Sequence, residues 1–147
     1  MKLVDTDETI VLVTGSDIRA EERDRPTAYW LKNEIDRRGE GVAFRRAVVV
    51  GDIWYLANRI FHLNPTVAIG GPGVNALSRQ WVEGMPAVWS REDRAFVHTE
   101  FGEDHRRAVV WGMDAATTAE AVRAFASLGP LDDLLARSWR FRAQLTD

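Results

Sequence analysis

One pattern constrains the fold of this chain more than any other: a short apolar run, a glycine and a helical segment follow one another three times. The runs are residues 9–15, 47–51 and 66–70, and each ends in its glycine. Continuous β-branched runs of this length are typical of strands buried on both faces. Because strands that alternate with helices pair in parallel through right-handed crossovers, the pattern predicts a parallel sheet covered by helices.

The first helix of this pattern is expected at residues 24–39. Asp24 suits a cap, Pro26 suits the first helical position behind it, and Gly39 supplies a stop. The apolar residues at helical spacing are Ala28, Leu31 and Ile35. The charged stretch between the first strand and Asp24 is therefore predicted to be a solvated loop.

The second helix carries the clearest amphipathic pattern in the chain. Asp52 can cap it, and the break at residues 64–65 ends it. Its apolar positions follow the spacing of one helical face: Ile53, Leu56, Ala57, Ile60 and Phe61. A shorter helix that carries Val74 and Leu77 is expected after the turn at residues 70–73.

The second half of the chain changes rhythm and predicts a hairpin. A short strand is expected at residues 87–89, and segments 95–101 and 106–111 flank a turn at 102–104. Two more helices follow before and after Gly129. An antiparallel hairpin beside parallel strands makes a mixed sheet.

These elements predict one α/β domain over residues 1–147. The expected fold is a three-layer sandwich, Rossmann-like or flavodoxin-like, with a mainly parallel sheet and an antiparallel hairpin in the C-terminal half. The helix after the hairpin has two competing caps, Asp114 and Thr117. The sequence contains no low-complexity segment or fixed-period repeat that would indicate a second unit.

Composition argues against several classes of protein. A net charge of −3 and a pI near 5.6 disfavour a nucleic-acid partner, since nucleic-acid binders use a basic face. The absence of cysteine excludes disulfides, thiolate zinc sites and cysteine nucleophiles. No segment has the roughly 20 apolar residues of a membrane helix, and residues 1–8 are polar and acidic, unlike a secretory signal. A cytoplasmic protein without a membrane or nucleic-acid partner is expected.

Four glycine-containing turns are expected at one edge of the sheet. Ligands of open α/β sheets bind outside the carboxyl ends of the strands, where these turns lie. The candidate ligand-binding residues are Gly15, Ser16, Asp17, Arg19, Gly51, Asp52, Gly70, Gly71, Gly73, Asn75 and Gly112. Because glycines allow close backbone approach and helix starts attract anions, we expect a small anionic or nucleotide-like ligand.

The Gly-Gly-Pro-Gly turn at residues 70–73 is the strongest of these signals. It lacks the Gly-Lys-Ser/Thr ending of a P-loop and the G-x-G-x-x-G spacing of a dinucleotide site. Neither an NTPase nor a dinucleotide enzyme is therefore indicated. The alternative is a tight turn that only reverses the chain.

Two carboxylates, Asp17 and Asp52, can meet in this crevice, where they would suit acid–base chemistry or a divalent cation. Alternatively, Asp52 caps a helix and Asp17 belongs to the solvated loop, which can act as a lid with Arg19 as its anion contact. The three histidines are dispersed and indicate no metal site. Ser16 lacks the sequence context of a hydrolase nucleophile.

A family resemblance is carried by four features in order along the chain. They are the strand and glycine turn at residues 67–75, the hairpin, the strand and glycine at 109–112, and the helix start at 117–121. In this order of motifs the chain resembles an α/β module of archaeal surface-layer proteins, in which a strand ends in Gly-Gly-Pro-x-x-Asn. The resemblance covers about residues 65–125. It implies a structural or associative role, with the glycine turn serving the fold.

Three functions are therefore left open by the sequence. They are binding of a small anionic ligand, catalysis on a phosphorylated or nucleotide-like substrate, and self-association as a homodimer; no cofactor is identified. The six tryptophans suit cores, interfaces and pockets alike. Ligand binding is the simplest hypothesis, because an enzyme needs a nucleophile or base that the sequence does not single out.

Overall fold

The computed structural model of this protein describes residues 5–102 and 104–145. Most of the predicted elements fall within these ranges. Residues 1–4 of the polar N-terminal segment and Glu103 of the expected hairpin turn lie outside the described residues.

A single mixed sheet of six strands forms the centre of the described chain. The strands are β1 (Ile10–Thr14), β2 (Ala47–Gly51), β3 (Thr66–Ile69), β4 (Ala87–Arg91), β5 (Ala95–Phe101) and β6 (Arg106–Gly112). Their order across the sheet is β2-β1-β3-β6-β5-β4. The first four strands in this order pair in parallel, whereas β5 pairs antiparallel with both of its neighbours. The expected α/β class, with a mainly parallel sheet and a C-terminal hairpin, is confirmed.

Helices cover both faces of this sheet. They are α1 (Ile18–Arg38), α2 (Asp52–Ala57), α3 (Ala76–Trp81), α4 (Ala115–Ser127) and α5 (Pro130–Leu145), with 3₁₀ turns at Arg59–Leu63 and Val82–Gly84. Alternate residues of β1 point to opposite faces: Leu12 packs in the cluster with α1, α4 and α5, and Val13 in the cluster with α2 and α3. Burial on both faces explains why β1 reads as a continuous apolar run.

The chain reverses its direction across the sheet between β1 and β3. The connection from β1 leads to β2 on one side, and the chain then returns past β1 to β3 on the other. The carboxyl ends of β1 and β3 therefore flank a topological switch point, the position at which open α/β sheets form a crevice.

The predicted loop between the first strand and Asp24 is wrong, because α1 already begins at Ile18. Asp17 is its cap and accepts a hydrogen bond from the Arg19 amide at 2.8 Å. Pro26 lies inside the helix, where proline ordinarily costs about 3 kcal/mol. The helix is retained because its apolar inner face is buried on both sides of the proline, at Ala20, Ala28, Leu31 and Ile35.

The predicted second helix is wrong in its length and in part of its buried face, although Leu56 and Phe61 pack against the core as expected. It divides into α2 and a 3₁₀ turn, and Ile53 and Ile60 are 62% and 71% exposed. Tyr55 faces the sheet instead, and its hydroxyl lies 3.1 Å from Thr66 Oγ1. The buried residues of α2 are Asp52 and Tyr55, so the polar residue at its first position lies inward and Ile53 lies outward.

Two further helix starts can be compared with the sequence. The short third helix begins at Ala76 and not at Val74, which is exposed, because Asn75 is its cap. Asp114 caps α4 and forms a capping box with Thr117, so the two expected caps act together. Among the residues that the structure describes, no helix has the length and apolar character needed to cross a membrane.

Candidate functional site

Asp52 is the centre of a polar network at the switch point. Its Oδ1 accepts hydrogen bonds from Ser16 N at 3.0 Å, Ser16 Oγ at 2.6 Å and Ile53 N at 2.7 Å. Its Oδ2 accepts from Ala76 N at 2.7 Å. Burial raises the pKa of this carboxyl group, but the four hydrogen bonds outweigh burial and hold the pKa below its ordinary value.

Asn75 fills the crevice between β1 and β3. Its side-chain amide donates to Val13 O and Ile69 O, both at 3.0 Å. Its Oδ1 accepts from the backbone amides of Leu77 and Ser78 at the start of α3. The polar atoms of this side chain are thus engaged by the two strand ends and the helix that meet here.

Several of the candidate glycines allow close approaches between chain segments. A Cβ at Gly15 would lie 2.0 Å from Val74 O, and a Cβ at Gly112 would lie 2.3 Å from Oγ1 of Thr117. A Cβ at Gly51 would lie 2.7 Å from Oγ of Ser16. These glycines therefore serve the packing of the turns at this edge.

An open cleft of about 490 Å³ lies next to this packed network. It is bounded by the first turns of α1, the turn between β3 and α3, and the turn between β6 and α4. Its lining includes Arg19, Arg23, Asp24, Gly71, Gly73, Trp111 and Gly112. We call this space the arginine cleft.

Arg19 and Arg23 stand on α1 at the mouth of the arginine cleft. They are exposed, and neither forms a salt bridge with any residue in the described part of the chain. Residues four apart are neighbours on a helix, so the two guanidinium groups can act on one anion.

Asp24 lies in the wall of the arginine cleft and is only 5% exposed. A Cβ at Gly70 would lie 2.9 Å from its Oδ2, and Gly70 has a φ of +113° that a side chain would strain. Burial raises the pKa of Asp24 from an ordinary value of 3.8 to about 6, although the charge of Arg23 acts in the opposite direction.

Trp111 supplies a rigid apolar wall. Its ring stacks on Phe96 with 4.6 Å between centroids, and its indole Nε1 donates to His98 Nε2 at 3.1 Å. His98 must therefore carry its proton on Nδ1, which lies 3.1 Å from Met85 O and donates to it. A Cβ at Gly71 would lie 3.0 Å from Cε3 of this tryptophan, so Gly71 leaves room beside the ring.

The sequence-derived site residues thus divide into two groups at one edge of the sheet. Arg19, Gly71, Gly73 and Gly112 line the arginine cleft, and Gly70 lies against Asp24 beside it. Gly15, Ser16, Gly51, Asp52 and Asn75 belong to the packed network. The carboxylates of Asp17 and Asp52 accept hydrogen bonds from different parts of the backbone. Asp17 caps α1, whereas Asp52 accepts from the first residues of both α2 and α3.

Arg23, Asp24 and Trp111 line the arginine cleft although they were not among the candidate residues. The sequence pattern places Arg23 in the charged stretch that is predicted to be a loop. It places Asp24 at the predicted start of the first helix, as a cap. A signal was present, because Ala20, Asp24 and Ala28 are spaced by four residues, as the inner face of one continuous helix requires.

A larger cavity, of about 880 Å³, lies at the amino ends of β3 and β6. We call it the opposite cavity. Its arginines already have carboxylate partners: Arg107 bonds Glu100 at 2.5 Å, Arg106 bonds Asp7 at 3.1 Å and Arg137 bonds Asp133 at 2.8 Å. The larger volume favours this cavity, but the arginine cleft has arginines that form no salt bridge within the described residues, and we therefore take it as the candidate site.

Within residues 5–102 and 104–145, no group of three or more histidine, aspartate or glutamate side chains is arranged to hold a metal ion. No protein-family model and no curated protein matches the chain.

Proposed function

We propose that this protein is a small-molecule binding domain that holds an anionic ligand of about nucleotide size in the arginine cleft. The observation that carries the proposal is a pair of arginines that form no salt bridge within the described residues and that face the glycine turn across an open cleft. Their guanidinium groups offer several N–H donors to a phosphate or a carboxylate.

The position and size of the arginine cleft support this proposal. It lies at the carboxyl edge of the parallel strands, where ligands of open α/β sheets bind. Its volume of about 490 Å³ falls within the range of about 300 to 1,000 Å³ that is common for small-molecule sites. Gly71 and Gly73 let a ligand approach the backbone closely, and Trp111 offers an apolar surface to its body.

A flavodoxin-like arrangement is part of the proposal. The order β2-β1-β3 with helices on both faces supports it, as does the switch point between β1 and β3. In such a sheet the packed network of Asp52 and Asn75 would hold the turns in place, and the adjoining cleft would take the ligand.

A thermal-unfolding screen against nucleoside monophosphates, sugar phosphates and inorganic phosphate tests the proposed function. A ligand at 100 times its Kd adds about 2.7 kcal/mol, which raises the Tm of a domain of this size by several degrees. We expect the double variant Arg19→Gln/Arg23→Gln to lose the shift. Arg59→Gln, which removes an exposed arginine outside the cleft, should keep it. A shift that survives in the double variant would contradict the proposal.

Self-association is a second candidate function, favoured by the exposed apolar side chains of α2 and the 3₁₀ turn after it. Those side chains are Ile53, Trp54, Ile60 and Leu63. Apolar surface of this kind is typical of interfaces between protein chains. Sedimentation analysis over a range of concentrations tests this function, and a homodimer that Ile60→Ser dissociates would support it. A monomer at every concentration would exclude it.

A further inference from the structure

We propose that Asp24 selects the ligand of the arginine cleft by accepting a hydrogen bond from an amino or amidine-type N–H group. The ligand class is then a small molecule that carries both such a donor and an anionic group. The inference rests on the proposed function and adds to it the group that distinguishes one anion from another.

The first support is that Asp24 is buried in the cleft wall and has no hydrogen-bond partner among the residues that the structure describes. Carboxylates are rarely buried without a partner, because burial removes their hydration and returns nothing for it. An unpartnered buried group that faces an open cleft is therefore available to a ligand.

Asp24 also has no role in holding the fold together. It does not cap α1, which begins six residues earlier, at Ile18, and it accepts no backbone amide in the described chain. Asp52 shows the contrast, since that carboxylate accepts four hydrogen bonds and joins three segments. Asp52 therefore bonds to the fold, whereas the carboxylate of Asp24 is available to a ligand in the arginine cleft.

Thr14, at the same edge of the sheet, also has a polar side chain without a hydrogen-bond partner in the described chain. Its hydroxyl is buried and has no hydrogen-bond partner within the described residues. Thr14 follows Ile10 and Leu12 at alternate positions, so it faces the α1 side of the sheet, as Asp24 does. It pairs with Ile69, the residue before the glycine against which Asp24 lies. Thr14 does not line the arginine cleft, so it is not itself a ligand contact, and the inference rests on Asp24.

The charges around Asp24 decide which ligand group can approach it. The other charged residues of the cleft lining are Arg19 and Arg23 on α1 and Asp114 at the start of α4, and the turn between β3 and α3 contributes none. Asp114 is already held by Thr117 and Arg94. An anionic group is therefore repelled from Asp24 and attracted to the arginines, whereas an N–H donor suits the carboxylate.

The arrangement along α1 gives the ligand an approximate length. Arg19 precedes Asp24 by five residues, which is about 7.5 Å along the helix axis. Aminopurine monophosphates and phosphorylated amines both carry a donor and a phosphate, and they share the chemistry proposed here. Burial raises the pKa of Asp24 to about 6, so the carboxylate is ionised and acts only as an acceptor near neutral pH.

Ligand pairs with and without the N–H donor test this inference. The probes are adenosine monophosphate against purine riboside monophosphate, which differ only in the amino group, and phosphoethanolamine against ethyl phosphate, which lacks the ammonium group. We expect the amino member of at least one pair to bind about tenfold more tightly to the parent protein, the gain typical of one charge-assisted hydrogen bond. Asp24→Leu, which has no acceptor, should lose this preference, and Asp24→Asn, which keeps an amide oxygen without the charge, should reduce it. Glu22→Gln, an exposed change of the same charge on the same helix, should leave it unchanged.

Other outcomes separate this inference from the proposed function. If both members of each pair bind equally and Arg19→Gln/Arg23→Gln abolishes the binding of both, the binding function stands and the role of Asp24 is overturned. If no probe binds, the inference is overturned. If no compound in the thermal-unfolding screen raises the Tm, the proposed function is overturned as well.

The parent protein alone supplies a further test, should Asp24→Asn fail to fold. As the pH falls through about 6, Asp24 gains its proton and the preference for the amino member should weaken, because a neutral carboxyl group is a poorer acceptor than a carboxylate. The two purine monophosphates are the pair for this test, since their phosphates are alike and titrate together. A preference that is unchanged well below this pH would overturn the inference.

Discussion

The carboxylate of Asp24 lies directly against Gly70: its Oδ2 is 2.9 Å from the point where a Cβ on that glycine would stand. Gly70 also has a φ of +113°, which residues with a side chain rarely adopt. The two residues therefore share one space at the carboxyl end of β3, and the absence of a side chain at one position accommodates the carboxylate at the other.

We expect Gly70→Ala to be destabilising for both of these reasons. The backbone strain alone should lower the free energy of unfolding by about 1 to 3 kcal/mol, and the contact with Asp24 adds to it. In an Asp24→Ala background the same change should cost less, because the contact is gone while the strain stays. Urea unfolding of the two single variants and the double variant measures this coupling. Additive effects would show that the two side chains do not share the space.

The raised pKa of Asp24 has a consequence for stability against pH. Its pKa is about 6 in the folded chain and 3.8 ordinarily, so the folded state holds the proton more tightly. The free energy of unfolding should therefore decrease as the pH rises from about 4 to about 6, by up to about 3 kcal/mol from this group. Asp24→Asn does not titrate, so it should become more stable than the parent protein above that window.

Urea unfolding across this pH window checks the expectation, with Glu22→Gln as the control because that side chain is exposed. An advantage of Asp24→Asn that is the same at both ends of the window would contradict the raised pKa. If Asp24→Asn is more stable and less selective for its ligand than the parent protein, Asp24 is kept for its function although it destabilises the fold.

Asp52 should behave in the opposite way. Asparagine cannot replace the four hydrogen bonds that this carboxylate accepts, so Asp52→Asn should lower the free energy of unfolding by about 2 to 3 kcal/mol. Because the pKa of Asp52 lies below its ordinary value, this contribution is present at neutral pH and is lost as the pH falls through that depressed pKa.

Asp17→Asn is the matched control for this change. It removes the same charge at the same edge, but asparagine caps a helix about as well as aspartate, so the expected loss is a few tenths of a kcal/mol. Chemical unfolding at neutral pH compares the two variants. Similar losses in both would show that the network around Asp52 contributes no more than a helix cap.

Gly71→Val should impair ligand binding more than Asp52→Asn does. A Cβ at this position meets Trp111 at 3.0 Å, and stacking on Phe96 and the bond to His98 keep that ring from moving away. The added methyl groups therefore occupy the arginine cleft. Gly84→Val, at a glycine with open space around it, controls for the added apolar group. Equal retention of ligand by Gly71→Val and Asp52→Asn would exclude the glycine turn from the site.

The sequence predicted the sheet better than the helices. Strands β1, β2 and β3 are short β-branched runs closed by glycine, and that local pattern predicts them without knowledge of their neighbours. The start of α1 was not predicted because Pro26 suits the first turn of a helix, whereas burial of Ala20 favours a helix that runs through the proline. Strand order depends on contacts distant in sequence, so it could not be predicted from local patterns.

The sequence predicted the edge of the sheet at which the candidate site lies, but not which side chains line the cleft. Glycine turns at strand ends are visible in a sequence, and all of the turns concerned lie at the carboxyl edge. Whether a polar side chain there bonds to the fold or faces a cleft depends on three-dimensional packing. Asp52 and Asp24 look alike in the sequence, yet the first is satisfied by backbone amides and the second is not.

The most direct test of the central claim is to locate the bound ligand by two-dimensional NMR of the amide and indole N–H signals, titrated with the best phosphate-bearing compound from the screen. We expect the largest shifts at Gly71, Gly73 and Gly112 and at the indole of Trp111, all of which line the arginine cleft. The signals of Arg106, Arg107 and the indole of Trp81, which line the opposite cavity, should not move. Shifts confined to that second group would place the ligand at the other edge of the sheet and contradict the account.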